Sequence, residues 1–250
     1  MNRLIRAEFR KIFTTRLWWA MLLGAAAFAT LATIGQLAGN GVDSAALMSA
    51  RTQQAVFASA TFGDIFTLVV GVIAITTEYR HFTSRPTFLS EPRRGRIVVA
   101  KMVAYAILGL GYATACIAVT VAVAVPWLAT EHTTVEWQNH DLIWVIAGDL
   151  ATITAFAVFG LGVGVLVRNQ IAAVIAALAY LLVLGPVMQV IPGVKVIYRW
   201  LPGAAADAVT DVGHFNDRLL NPWEGLAVFL AWGVLFALSG WWFTVRRDIP

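Results

Sequence analysis

Residues 102–130 read MVAYAILGLGYATACIAVTVAVAVPWLAT, without a single Asp, Glu, Lys or Arg. A helix needs only about 20 such residues to cross roughly 30 Å of hydrocarbon. The run is too long for the core of a small soluble domain, and it lacks the two-residue alternation of a barrel strand. Five comparable runs flank it: 17–42, 52–77 (interrupted by Asp64), 142–167 (interrupted by Asp149), 169–194 and 225–245. They predict an all-α membrane protein, one transmembrane domain over residues 1–250, with six helices at about 17–38, 55–77, 102–129, 142–167, 169–191 and 225–245. Pro186 is expected to kink the fifth of these.

Composition agrees. Apolar residues make up 59% of the chain and charged residues 13%, about half the share usual in soluble proteins. The mean hydropathy is +0.74. These values exclude a soluble enzyme and a disordered tail. The first apolar run far exceeds the roughly 7–15 residues of a signal-peptide core, so it is expected to stay in the protein.

The basic residues carry the orientation. Arg3, Arg6, Arg10, Lys11 and Arg16 precede the first run. Arg80, Arg85, Arg93, Arg94, Arg96 and Lys101 fall between the second and third. Arg168, Arg246 and Arg247 fall on the same side, leaving Arg51, Lys195, Arg199 and Arg218 on the other. The positive-inside rule then puts both termini in the cytoplasm. The net charge of +4 is a topology signal beside anionic lipid, not a nucleic-acid surface. Trp18, Trp19, Trp241 and Trp242 at inner ends, and Trp127 and Trp144 near outer ends, fit aromatic belts.

The connecting segments are distinctive. Residues 1–16 place Leu4, Ile5, Phe9, Ile12 and Phe13 on one helical face and Arg3, Arg10 and Lys11 on the other. That pattern is a helix lying in the inner headgroup layer. Residues 78–101, EYRHFTSRPTFLSEPRRGRIVVAK, combine six basic residues with Phe82, Phe88 and Leu89. A loop that only marks topology needs the charges but not the aromatics. Ser90 or Glu91 before Pro92 is suited to start a short helix. Two readings stand: a docking surface for a cytoplasmic protein, or apolar side chains folded back onto helix ends. Residues 192–224 are too apolar for a solvated loop and predict short helices on or in the outer leaflet.

With the opening EFRKIFTTRLWW (8–19) and ITTEYRHFTSRPTFLSEPRRGRIVVAK (75–101), the chain resembles the permease subunits of ABC-2 type ATP-binding-cassette exporters, particularly small actinobacterial ones. The resemblance implies that residues 4–16 form the elbow helix, with Phe9, Arg10, Lys11 and Phe13 on it. It implies that the loop after span two couples to an ATPase through Glu78, Tyr79, Arg80, His81, Phe82, Phe88, Leu89, Glu91, Arg93, Arg94 and Arg96. It implies that residues 192–224 close the exit, and that spans two and five line a path between two permease subunits. On those spans the polar marks are Asp64, Thr67, Asn169, Gln170, Tyr180 and Gln189. The implied partners are two cytoplasmic ATPase subunits, a second permease copy or homologous permease, and membrane lipids. The implied cargo is hydrophobic or amphipathic: a drug, antibiotic, lipid or peptide.

No motor is encoded here. A phosphate-binding loop needs a Gly-rich turn followed by Lys and Ser or Thr, and the three lysines are followed by Ile12, Met102 and Val196. ATP and Mg2+ belong to a partner, and this chain is expected to hold no cofactor, no metal and no catalytic residue. His132, Glu136 and His140 are spaced four apart but lie in a short external segment where a helix is not required. Cys116 reads as a small packing residue. Asp64 and Asp149 sit inside spans at a cost of roughly 2.5–3.5 kcal/mol each. They line a polar path, carry protons, or bond to threonines such as Thr61, Thr67 and Thr152. Two alternatives therefore stay open: a proton-coupled secondary transporter using Asp64 or Asp149, and a membrane-embedded enzyme acting on a lipid. Gly160–Gly164 and Gly35–Gly39 match the spacing that lets membrane helices approach closely. The glycines around 160 are expected to pack spans within one subunit.

Overall fold

In the computed structural model, residues 1–40, 49–80, 94–167, 169–191, 194–211 and 219–246 are described, and among them no strand occurs. The helices are α1 (Asn2–Thr14), α2 (Leu17–Asn40), α3 (Ala50–Ala58), α4 (Asp64–Arg80), α5 (Arg94–Thr130), α6 (His140–Val167), α7 (Gln170–Ala179), α8 (Gly185–Val190), α9 (Lys195–Tyr198), α10 (Pro202–Thr210) and α11 (Pro222–Arg246). Five stretches are long and apolar enough to cross a membrane: Leu17–Gly39, Ala50–Glu78, Arg96–Thr130, His140–Val167 and Gln170–Gln189. The protein is thus an all-helical, multi-pass membrane chain. The segment expected to be a loop over 78–101 is shorter than anticipated, because α4 runs on through Arg80 and α5 already starts at Arg94. At about 1.5 Å per residue, α5 is about 55 Å long and extends well beyond the hydrocarbon.

The central helix is α6, which packs against α3, α4, α5, α7, α10 and α11. Its tightest seam is with α4. A Cβ built on Gly71 would lie 2.2 Å from the Ala157 carbonyl oxygen, and one on Gly160 would lie 2.2 Å from that of Leu68. A Cβ on Gly164 would meet the Val72 carbonyl oxygen at 2.8 Å. These are backbone atoms and cannot swing aside, so glycine is what allows the two helices to touch. The glycines around 160 therefore join spans within the subunit. Gly35 and Gly39 have nothing within 4 Å.

The second span is not one helix. Between α3 and α4 the backbone tightens into a 3-10 turn, Ser59–Gly63. Hydroxyls add bonds to the carbonyls leading into this turn: Ser59 Oγ donates to Val56 O at 2.6 Å and Thr61 Oγ1 to Ala58 O at 2.6 Å. Ser59 is also paired with Thr33 Oγ1 of α2 at 2.8 Å, and Thr33 donates to Thr120 Oγ1 of α5 at 3.2 Å. Cys116 is fully buried and faces Gly63, where an added Cβ would lie 2.4 Å from its Sγ. The packing role expected for this cysteine is the one seen.

The fifth span is interrupted as well. Tyr180–Leu184 form a π turn, closed by the Gly185 N–H donating to Tyr180 O. Pro186 has no N–H to give, and the widened turn ahead of it absorbs the missing bond.

The α4–α6 seam generates a direct test. Gly160→Ala is expected to lower thermal stability in mild detergent by about 1–3 kcal/mol, the usual cost of overpacking. Gly111→Ala, with nothing within 4 Å of its Cβ, should leave it unchanged. Equal melting of both variants would mean that the helices are not in backbone contact at this seam.

Candidate functional site

The densest charged cluster among the described residues lies where α1 crosses the ends of α4 and α5. It starts from the amphipathic pattern of α1. Ile12 is buried, and Ile5 and Phe9 pack against the same core. Arg3, Arg6 and Arg10 face outward. Phe13, expected on the apolar face, is 53% exposed, and its ring stacks on Phe9 and meets Trp18 edge-on. The inward face carries an acid instead: Glu8 is 4% exposed.

Glu8 is compensated by two lysines. Lys101 Nζ of α5 donates to Glu8 Oε2 at 2.5 Å and to Glu78 Oε1 of α4 at 2.9 Å. Lys11 Nζ donates to Glu8 Oε1 at 2.8 Å and to the same Glu78 oxygen at 2.9 Å. Each lysine bridges both acids, so the set is neutral and ties three helices together. Lys101 is nearly as buried as Glu8, whereas Lys11 is half-exposed. The Lys101 ammonium also lies 5.9 Å from the centre of the Tyr105 ring. The Tyr112 hydroxyl of α5 donates to Trp18 O at the start of α2, fixing the bend between α1 and α2.

The charges shift one another. Burial alone would raise the Glu8 carboxyl, but Lys101 and then Lys11 outweigh it and hold it below the ordinary carboxylate value. Burial would lower the Lys11 ammonium, but hydrogen bonds to Glu8 and Glu78 hold it above its ordinary value. A depressed carboxyl stabilises the fold above its unfolded value of about 4.3, and that contribution is lost as pH falls through the folded value. A raised ammonium stabilises below about 10.4, and that contribution is lost as pH climbs past it. The contributions of Glu8 and Lys11 are therefore both present from about pH 4.3 up to about pH 10.4.

The other expected site residues divide as follows. Glu78 is in the cluster. Tyr79 and Arg80 end α4, and Arg94 and Arg96 begin α5. His81, Phe82, Phe88, Leu89, Glu91 and Arg93 lie outside the described residues, as does the short helix expected near Pro92. Asp64 opens α4 directly after the 3-10 turn and is half-buried. Thr67 is buried and donates to Ile153 O of α6 at 3.0 Å, so it faces the α4–α6 seam rather than an open wall. Asn169 caps α7 by accepting from the Ala172 N–H at 3.1 Å, with Gln170 next to it. The Tyr180 hydroxyl accepts from the Gly203 N–H at 3.3 Å. Gln189 Nε2 donates to the Tyr198 hydroxyl. Tyr180 and Gln189 thus bind the fifth span to α9 and α10, and Asp207 of α10 lies close enough to bear electrostatically on Asp64.

Asp149 differs from the expectation that threonines would satisfy it. It is fully buried, and neither carboxylate oxygen has a hydrogen-bond partner; the Thr152 hydroxyl, also buried, has none either. His132, Glu136 and His140 do not share a helical face, because the chain between α5 and α6 is not helical. Among the described residues no group of three His, Cys, Asp or Glu is placed to hold a metal ion.

Sequence reasoning missed Glu8 and Lys101 as partners. The signal was present: Glu8 falls on the same stripe as Ile5, Phe9 and Ile12, and an acid there requires a buried base.

A family model described as ABC-2 family transporter protein matches residues 4–184, from the first turn of α1 to the end of the π turn. No curated protein matches the chain.

Lys101→Met should leave Glu8 and Glu78 facing each other and destabilise the protein by about 3–5 kcal/mol in chemical unfolding. Adding Glu8→Gln should recover most of that loss, because Lys11 then balances Glu78 and no buried charge is left uncompensated. Lowering the pH below about 4, through the depressed value of Glu8, should weaken the wild type more than the double variant. A Lys101→Met protein as stable as the wild type would mean that these ion pairs do not hold the three helices together.

Proposed function

The chain belongs to the ABC-2 family of transporter proteins, and from that premise we propose that it is the membrane-spanning permease subunit of an ATP-driven exporter. The observation that carries the reading is the four-residue ionic cluster. It joins the N-terminal helix to the two helices that enter and leave residues 78–96, the segment that resembles the family's coupling loop. Permeases of this family generally work with ABC ATPase partners and have no ATPase of their own.

On this reading α11 is the sixth span, both termini are cytoplasmic, and the membrane is the bacterial plasma membrane. Two ATPase subunits, holding ATP and Mg2+, dock on residues 81–93 through Phe82, Phe88 and Leu89 and the surrounding arginines. Two permeases, identical or homologous, face each other across a path. Closure of the ATPases displaces the coupling segment. Because Glu78 and Lys101 share partners on α1, the displacement moves the elbow helix and the inner ends of α4 and α5 as one body. The interruptions at Ser59–Gly63 and Tyr180–Leu184 are the points where spans two and five can bend while their inner ends move. The cargo is hydrophobic or amphipathic, a drug, antibiotic, lipid or peptide, since the walls are apolar with sparse polar groups.

One observation favours a second reading. Asp149 is a buried carboxyl without a partner, which suits a proton site in a transporter that needs no ATPase.

Affinity purification in mild detergent, followed by mass spectrometry, is expected to recover a P-loop ATPase in roughly equal amount. Phe88→Asp, or reversal of Arg93 and Arg94 to Glu, should abolish co-purification and ATP-dependent transport while leaving the melting temperature unchanged. Transport that survives these changes and follows pH, with loss in Asp149→Asn, would shift the assignment to the proton-coupled reading.

A further inference from the structure

At the end of the bundle opposite the ionic cluster, the first turns of α6 and α11 lie side by side and enclose a recess of about 730 Å³. It stands apart from the coupling segment and from the interrupted spans, so its ligand chemistry does not depend on the transport reading. Two indole rings form its mouth. Trp144 and Trp223 meet edge to face, with centroids 4.8 Å apart and planes at 81°. Their orientation is held: the Trp144 indole N–H donates to His140 Nε2 at 2.9 Å, and the two rings pack at 5.7 Å. Trp223 remains 63% exposed.

The same mouth is acidic. Asp141 and Glu224 line it, and among the described lining residues there is no Lys or Arg. Glu224 is set in place by the start of α11, where its Oε2 accepts the Asn221 N–H at 3.3 Å. Below the mouth the wall turns apolar, formed by Ala147, Ala151, Val209 and Leu226.

We propose that this recess binds an alkylated ammonium group joined to an apolar chain. Indole faces attract cations through the ring quadrupole, and quaternary ammonium is the cation best matched to rings, since it has no N–H needing a hydrogen-bond acceptor. Two rings at right angles present two walls of such a cage, and the two carboxylates supply the opposite charge. An anion is disfavoured by those carboxylates, and a fully apolar ligand leaves them unmatched. The chain of the ligand lies on the apolar wall. Either a phospholipid headgroup or a free cationic amphiphile has this chemistry.

The test uses the full chain in nanodiscs of phosphatidylglycerol, whose headgroup has no ammonium. The probe is hexyltrimethylammonium, and its control is the uncharged isostere with carbon in place of nitrogen. Equilibrium dialysis should show saturable binding of the probe and roughly three- to thirty-fold weaker binding of the isostere. Trp223→Leu, which keeps the apolar contact but removes the ring, should weaken the probe by a similar factor. Glu224→Gln should do the same while keeping the capping hydrogen bond, so its melting temperature should match the wild type. Unsaturable uptake, equal binding of the isostere, or unchanged affinity in both variants would overturn the proposal. Repeating the titration in phosphatidylglycerol discs carrying a minor share of phosphatidylcholine, against discs carrying the same share of diacylglycerol so that surface charge is equal, separates the sources: weaker apparent binding with phosphatidylcholine marks the lipid headgroup as a competing occupant, and unchanged binding marks the free cation.

Discussion

Between Ser59 and Gly63 the backbone passes from α-helical to 3-10 bonding inside an apolar span, and the hydroxyls of the turn must be met by their surroundings. Lipid offers no hydrogen bonds, so each of these polar groups needs a partner within the protein. Ser59 and Thr61 turn back onto the chain, and Thr33 and Thr120 bring two further helices to the break. Close approach is then required, and Gly63 against Cys116 provides it on one side while Gly71 and Gly160 provide it just beyond. The positions of α2, α4, α5 and α6 thus follow from one local departure and its repair.

Charge is handled by the same constraint in two ways. Glu8 and Lys101 are withdrawn from water but face opposite charges on three helices, so their burial becomes a link between elements. Asp149 is equally withdrawn and faces none. An ion pair at α1 is a structural joint, whereas an isolated carboxyl in a span is a group whose state depends on what reaches it. On the proposed function the first transmits motion, and on its alternative the second carries protons.

Much of the architecture is legible in the sequence because hydropathy reports directly on solvent. Charge-free runs locate the apolar cores of the helices, though α5 begins at Arg94, ahead of its run, and the amphipathic stripe locates α1. The interruptions are not legible. Nothing in SATFG (59–63) distinguishes a 3-10 turn from continuing helix, since its hydroxyls are equally at home bonded to the preceding turn of either. Pro186 gives a hint for the fifth span, but the π turn lies ahead of it. The site is legible only in part. Glu78 stands out beside the basic segment, while Lys101 reads as a topology charge and Glu8 as no more than part of the opening stretch. Thr67 looks like a polar mark on a path, yet its hydroxyl is bonded across the α4–α6 seam. Position along a helix is visible in a sequence, but which neighbour a polar group faces depends on rotation set by distant packing.

Glu8 and Lys101 are 93 residues apart in the chain. At usual synthesis speeds of about 5–20 residues per second, the acid emerges roughly 5–20 s before its base. During that interval α1 has no buried partner for Glu8 on α5, and α5 cannot be reached until the third apolar segment has been made. The N-terminal helix therefore waits at the membrane surface, its apolar face in the headgroup layer, while the first two segments enter the bilayer. Its docking is a late event in assembly, triggered by the arrival of Lys101, and it closes the inner end of the bundle only after the helices it joins are both present.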